Sequence, residues 1–139
     1  MILLDTNVIS EPFRAPDSVV RRWLDDQPLR DLFLCAPVLA ELHYGVQQLP
    51  PGARRNRLLE WVRVVEEVEF SDRILPFDRH AAREFGRIMV VRRRLGRSGG
   101  PMDALIAAIA LAHGAVLATR NVRDFDGLGL KIVNPFDGG

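Results

Sequence analysis

Short apolar runs alternate with longer amphipathic segments along the whole chain. Between the runs, apolar residues recur every three or four positions, the spacing of a helix with one buried face. The apolar runs predict five strands, at residues 2–4, 31–35, 73–76, 115–118 and 131–133. The amphipathic segments predict helices over residues 18–24, 36–49, 78–95 and 102–112, and a further helix whose apolar positions run from Leu58 to Val68. The Gly-rich stretch that includes Ser98 and Gly99 is predicted to be the most flexible internal segment.

Strands that are apolar throughout and separated by helices indicate an α/β fold, with a parallel sheet covered on both faces. No repeat, low-complexity tract or linker divides the sequence, so residues 1–139 are predicted to form a single domain. In sheets of this kind, ligands collect beyond the carboxyl ends of the strands. The residues that directly follow each strand are therefore the first candidates for a functional site.

Composition narrows the function classes. The net charge is only +1, so the chain is not a polycation, and any affinity for nucleic acid must come from local charge. Cys35 is the only cysteine, which excludes an internal disulfide and a cysteine-based metal site. The longest uncharged apolar stretch, residues 104–112, is far shorter than a membrane span. We expect a cytoplasmic protein without a membrane segment.

Four acidic residues occupy unusual positions in this pattern. Asp5 directly follows the first strand, and Asp103 opens a helix that is otherwise almost entirely apolar. Asp124 lies in the loop after the strand at residues 115–118. Glu41 falls at the edge of the buried arc of its helix, about 60° beyond Val38 at 100° per residue. Three of the four acids are thus predicted to lie on one rim of the sheet.

Each acid also has an ordinary structural explanation. Asp5 is well placed to cap a helix, Asp103 favours the positive end of its helix, and Glu41 and Asp124 could be solvated. Taken together, however, clustered carboxylates repel one another unless a cation neutralises them. Oxygen ligands without His or Cys suit Mg²⁺ or Mn²⁺, and the three histidines lack the spacing of a zinc site.

A cluster of arginines precedes the Gly-rich stretch. It is explained either by phosphate contact with RNA or by the favourable interaction of cations with a helix C-terminus. Its members are Arg92, Arg93, Arg94 and Arg97. Closer to the predicted rim, Arg120 could approach a phosphate or pair with a site acid.

Four segments in sequence order resemble the PIN-domain proteins of the VapC toxin group: LLDTNVISE, APVLAELHYGV, PMDALIAAIAL and LATRNVRDFDGLGLKIVNPF. The resemblance extends from Met1 to about Phe136. It implies a three-layer α/β/α sandwich whose five-stranded parallel sheet has the order 3-2-1-4-5. It also implies a Mg²⁺- or Mn²⁺-dependent endoribonuclease that acts as the toxin of a type II toxin–antitoxin pair. Inhibition by a cognate, VapB-like antitoxin and homodimerisation are further implications.

The resemblance also implies the site residues. The first three acids of the family map onto Asp5, Glu41 and Asp103, and Thr6 and Asn7 accompany the first. Relatives differ in the fourth acid, which follows a Thr-Arg pair either directly or three residues later. Those two positions hold Asn121 and Asp124 here. We assign the fourth role to Asp124 and a supporting role to Asn121.

These assignments lead to a mechanism in which Asp5 and Asp103 bind one ion directly. Glu41 and Asp124 complete the shell or hold a second ion. Hydrolysis of the RNA phosphodiester would leave 5′-phosphate and 3′-hydroxyl ends. The alternative function is a non-catalytic PIN-fold subunit of a DNA-binding toxin–antitoxin repressor, which contacts DNA only through the antitoxin. A phosphatase of the haloacid dehalogenase type is disfavoured because position 7 is Asn instead of a second Asp.

Overall fold

The computed structural model describes residues 1–97 and 100–138, so the predicted flexibility at Ser98 and Gly99 lies outside the described residues. The strands are β1 (Ile2–Leu4), β2 (Leu32–Cys35), β3 (Ile74–Leu75), β4 (Val116–Ala118) and β5 (Ile132–Val133). The helices are α1 (Thr6–Arg14), α2 (Val19–Asp25), α3 (Ala36–Gln48), α4 (Ala53–Val64), α5 (Arg79–Arg94), α6 (Pro101–His113) and α7 (Val122–Phe125). A π-helical turn (Val65–Glu69) and two 3-10 turns (Leu29–Asp31 and Pro135–Asp137) complete the path.

The five strands form one sheet in the order β3-β2-β1-β4-β5, and every neighbouring pair is parallel. This confirms both the predicted fold class and the predicted strand order. β1 is the central strand, and its Leu3 is in register with Phe33 on one side and Leu117 on the other. The first residues of the chain therefore hold the two halves of the sheet together.

The apolar pattern explains which elements are buried. Leu3 and Leu4 of the central strand are fully buried. In α6, which has almost no polar side chains, residues 106–110 are fully buried, and the helix packs against α5. None of the helices formed by the described residues has the length and apolarity that crossing a bilayer requires.

Side-chain caps fix where several helices begin. Asp78 accepts a hydrogen bond from the backbone N–H of Ala81 and caps α5, as the sequence predicts. Ser18 caps α2 in the same way. The helix α1 was not among the predicted helices, because it is only nine residues long and contains Pro12. It begins directly at the end of β1, where Asp5 is its cap.

Candidate functional site

The carboxyl ends of β1 and β4 lie side by side at the centre of the sheet. Leu4 is in register with Ala118, and the backbone N–H of Asp5 donates to the Ala118 carbonyl at 2.9 Å. The chain leaves these two strands in different directions, since β1 pairs with β2 on one side and β4 with β5 on the other. This is the switch point of the sheet, where α/β proteins form their ligand sites.

Asp5 is buried at this switch point, with 3% of its surface exposed. One carboxylate oxygen accepts the Thr6 backbone N–H at 2.8 Å, and the other accepts the Thr119 hydroxyl at 2.7 Å. Burial raises the pKa of Asp5 above its ordinary value, and the carboxylates of Glu41 and Asp124 raise it further, against the two hydrogen bonds. Asp5 is therefore a helix cap in an environment that resists its negative charge.

Glu41 reaches the same region from α3. Its carboxylate accepts the Thr6 hydroxyl at 2.6 Å, so Thr6 holds both Asp5 and Glu41. Glu41 is half-buried beside fully buried Val38, as its predicted place at the edge of the buried arc requires. The predicted space beside Gly45 is also present, because a Cβ there would have no neighbour within 4 Å. A cavity of about 350 Å³ between α1, α3 and α4 is lined in part by Glu41 and Gly45.

Asp103 and Asp124 approach from the other side of the switch point. Asp103 lies in the first turn of α6 and is half-buried, whereas Asp124 lies in the first turn of α7 and is exposed. Burial raises the pKa of Asp103, the charges of Asp5 and Asp124 raise it further, and Arg92 opposes them. Asn121 caps α7 through its carbonyl, and its own N–H donates to the Thr119 hydroxyl.

The four acids thus share one electrostatic environment. Within residues 1–97 and 100–138, none of the four forms a salt bridge with a Lys, Arg or His side chain. In the same part of the chain, no three His, Cys, Asp or Glu side chains converge closely enough to enclose a metal ion. Within the described residues the site gathers negative charge that no salt bridge neutralises, without forming a closed cage of carboxylates.

Thr119 and Arg120 both contact other residues of the protein near the site. Thr119 is fully buried, and its hydroxyl is engaged with Asp5. Arg120 pairs with Glu11 at 3.3 Å instead of with one of the four acids, and its guanidinium stacks on the Phe136 ring at 3.8 Å. The Asn7 side chain accepts the Arg120 backbone N–H. These contacts fasten the loop after β4 to α1.

Sequence reasoning missed Glu11 and Phe136 as members of this network. Glu11 is 8% exposed although it is charged, and a single buried acid in a short helix gives no sequence signal of its burial. The Thr119–Asp5 and Arg120–Glu11 contacts join residues 114 and 109 positions apart. Only the folded sheet brings such residues together.

The arginine cluster divides in the structure. Arg92 is 3% exposed, and its guanidinium donates to the Gly100 carbonyl at 3.2 Å, so it does not present itself to a phosphate in this conformation. Of the two explanations that the sequence leaves open for the cluster, phosphate contact is the one that this burial does not favour for Arg92. Arg93 and Arg94 are exposed. Arg97 donates to the backbone carbonyl of Asp126, on the loop that carries Asp124.

Fold and site together define a class of α/β proteins: a parallel sheet of order 3-2-1-4-5 with a cluster of carboxylates at its switch point. Residues 2–129 match the PIN domain family, and the chain belongs to that family. The match covers β1 to the loop before β5 and includes all four acids.

The relatives include a ribonuclease and a toxin, and the matches cover nearly the full length of each protein. The chain is 40% identical over 138 residues to VapC ribonuclease Y4jK of Sinorhizobium fredii, covering 99% of each protein. It is 39% identical over 137 residues to toxin FitB of Neisseria gonorrhoeae, covering 98% of this chain and 99% of FitB. A solved structure of FitAB bound to an IR36 DNA fragment contains a chain that superimposes with a TM-score of 0.90. That chain is 39% identical, with 98% of this chain and 96% of the other covered.

Proposed function

We propose that the chain is the toxin of a toxin–antitoxin pair and acts as a Mg²⁺- or Mn²⁺-dependent endoribonuclease. Its similarity to a VapC ribonuclease and to toxin FitB over almost the whole chain supports the ribonuclease and the toxin role. The observation that carries the catalytic part is the placement of four acids around the switch point of the sheet. Repulsion from neighbouring carboxylates raises the pKa of Asp5 and of Asp103, and no salt bridge in the described chain neutralises the four acids. A divalent cation relieves that repulsion.

The donor set fits a hard cation. Asp5 and Asp103 would hold the ion directly, while Glu41 and Asp124 would complete the shell through water or hold a second ion. Mg²⁺ usually takes one or two carboxylates and keeps several waters, which agrees with a site where three side chains do not already converge. When bound, such an ion lowers the pKa of a coordinated water and offsets charge on the phosphate.

The surrounding residues prepare these carboxylates. Thr6 and Thr119 hold the two oxygens of Asp5 in place, so its orientation is set before any ligand arrives. Thr6 holds one oxygen of Glu41, which leaves the second oxygen free to accept the proton of the attacking water. In-line attack on the phosphodiester leaves 5′-phosphate and 3′-hydroxyl ends.

The RNA backbone needs cations near this site. We assign phosphate contact to Arg93, Arg94 and Arg97, because Arg97 lies against the loop of Asp124 and the other two are exposed at the end of α5. Arg92 does not belong to this group, because it is buried. We further propose that the chain forms a homodimer, as the resemblance to VapC toxins implies.

The test is cleavage of a structured RNA by the purified chain with Mg²⁺, with Mn²⁺ and with EDTA. Cleavage should require the ion, and sequencing of the cut ends should find 5′-phosphates. Asp124→Asn should slow cleavage, while Asp126→Asn, a matched exposed acid two residues away, should not. Full activity in EDTA would rule out metal dependence, and equal rates for the two variants would remove Asp124 from the site.

A second role within a DNA-bound complex is favoured by the superposition on FitAB bound to DNA. In this proposal a cognate antitoxin occupies the acidic site and supplies the DNA-binding surface. The purified pair should shift a DNA fragment from its own promoter in a gel, whereas the toxin alone should not. DNA binding by the toxin without antitoxin would contradict this division of labour.

A further inference from the structure

Arg92 is a buried charged residue to which the proposed mechanism gives no role. It lies in the last turn of α5, and 3% of its surface is exposed. In the described residues, no carboxylate lies within salt-bridge distance of it, and its Nε atom is buried without a hydrogen-bond partner. Burial of an unpaired guanidinium is strongly unfavourable unless nearby negative charge compensates it.

The position of Arg92 shows where that negative charge is. Its Nη1 atom donates to the carbonyl of Gly100, which is the residue that precedes the first turn of α6. Asp103 lies in that first turn, and α5 packs along α6. The guanidinium is therefore buried immediately behind the acid cluster.

We propose that Arg92 is a built-in counter-charge of the acid cluster, which offsets part of its negative charge in the absence of a divalent ion and weakens the binding of that ion. The inference rests on the metal site of the proposed function. An ion bound at Asp103 would place two further positive charges near Arg92, in a region where burial limits screening. Removing the charge of Arg92 should therefore tighten ion binding.

The experiment is a titration with Mn²⁺ alone, without RNA, followed through the electron paramagnetic resonance signal of the free ion. Arg92→Gln removes the charge but keeps a donor for the Gly100 carbonyl. It should bind Mn²⁺ on the order of threefold to tenfold more tightly than the original chain. Arg92→Lys keeps the charge and should bind as the original chain does. Arg83→Gln, an exposed change on the same helix, controls for net charge and should have no effect.

Unchanged or weaker binding by Arg92→Gln would overturn the inference, as would tighter binding by Arg92→Lys. If the original chain binds no Mn²⁺, both the metal site and the counter-charge fail, whereas binding without the expected ranking refutes the counter-charge alone. If Arg92→Gln does not fold without metal, Mn²⁺ should restore its circular dichroism spectrum, because the ion supplies the missing positive charge. A spectrum that stays unfolded at saturating Mn²⁺ also overturns the proposal.

Discussion

Two aspartates cap helices in this fold, and their surroundings act on them in opposite directions. Asp78 at the start of α5 accepts the Ala81 N–H at 3.0 Å, and that hydrogen bond lowers the pKa of its carboxyl group. Asp5 at the start of α1 accepts hydrogen bonds from Thr6 and Thr119, yet its pKa is raised. Hydrogen bonds stabilise the anion of both acids, but at Asp5 the burial of the carboxylate outweighs them.

The difference separates a cap from a candidate ligand. Both aspartates satisfy the N–H groups of a helix, so capping alone does not distinguish them. Asp5 is additionally buried and lies among other acids, so its charged form is held at a cost in free energy that capping a helix does not explain. Such an unfavourable placement is typical of sites where the strain is relieved by a ligand. The contrast between the starts of α1 and α5 can be tested directly.

The largest effect is expected from removing the charge of Asp5. Asp5→Asn should lower RNA cleavage by more than about 100-fold, because even indirect partners of a metal site change activity by about 10- to 100-fold. Asp78→Asn makes the same chemical change at the other cap and should leave the rate unchanged. Circular dichroism of both variants checks the fold. If Asp5→Asn folds and cleaves RNA at the normal rate, neither cap is needed for cleavage and the proposed site is wrong.

The next effect concerns the hydroxyl that distinguishes the Asp5 cap. Thr119→Val keeps the shape of a buried side chain but removes the donor to Asp5. We expect a loss of about 10- to 100-fold in Mn²⁺ affinity, measured by titration without RNA. Thr119→Ser restores the hydroxyl and should recover most of that affinity. If serine and valine behave alike, the hydrogen bond does not orient Asp5.

A smaller effect is expected at the start of α7, where cap and acid are separate residues. Asn121 provides the cap and Asp124 the carboxylate. Asp124→Asn should reduce cleavage by about tenfold, less than Asp5→Asn, because Asp124 is exposed and its charge is better screened. The double variant Asp124→Asn with Asn121→Asp should recover part of the activity if either position can fill the fourth corner. No recovery would assign that role to Asp124 alone.

The smallest effect is on stability without divalent ions. The raised pKa of Asp5 means that ionising it destabilises the fold, a penalty that develops as the pH rises through its unfolded and folded pKa values. The lowered pKa of Asp78 contributes stability above its unfolded pKa, which is lost as the pH falls through its folded pKa. At pH 7, Asp5→Asn should therefore melt a few degrees higher than the original chain and Asp78→Asn slightly lower.

Thermal melts from pH 3 to pH 8 in EDTA provide the measurement. Both differences should shrink toward the acid end, where the carboxyl groups of the original chain are protonated. Equal shifts of the melting temperature, with the same sign for the two variants, would show that burial and neighbouring acids do not destabilise the charged form of Asp5.

The sequence was a good guide wherever the signal was local. Residues 2–4 are apolar and form a strand, residues 102–112 lack a polar face and fall within α6, and Asp78 precedes a helical period and caps α5. The roles of the four acids in metal binding and catalysis stay predictions. Their arrival in one electrostatic environment follows from the strand order, which the sequence could suggest only through its resemblance to a family.

Contacts between distant segments escaped the sequence. The burial of Arg92 depends on how α5 packs against α6, and its neighbours Arg93 and Arg94 on the same turn are exposed. Glu11 is buried because Arg120 reaches it from a loop 109 residues later. In both cases a charged residue is expected at the surface, and its burial follows from contacts that form only in the folded chain.

The central place of β1 in the sheet has a consequence for folding during synthesis. The strand β1 is synthesised before both of its neighbours in the sheet, and of these β4 lies much farther along the chain than β2. The carboxylate of Asp5 cannot receive its hydrogen bond from Thr119 until that residue has emerged. Nascent chains therefore lack the assembled acidic site until Thr119 has emerged, and products that end before β4 cannot form it.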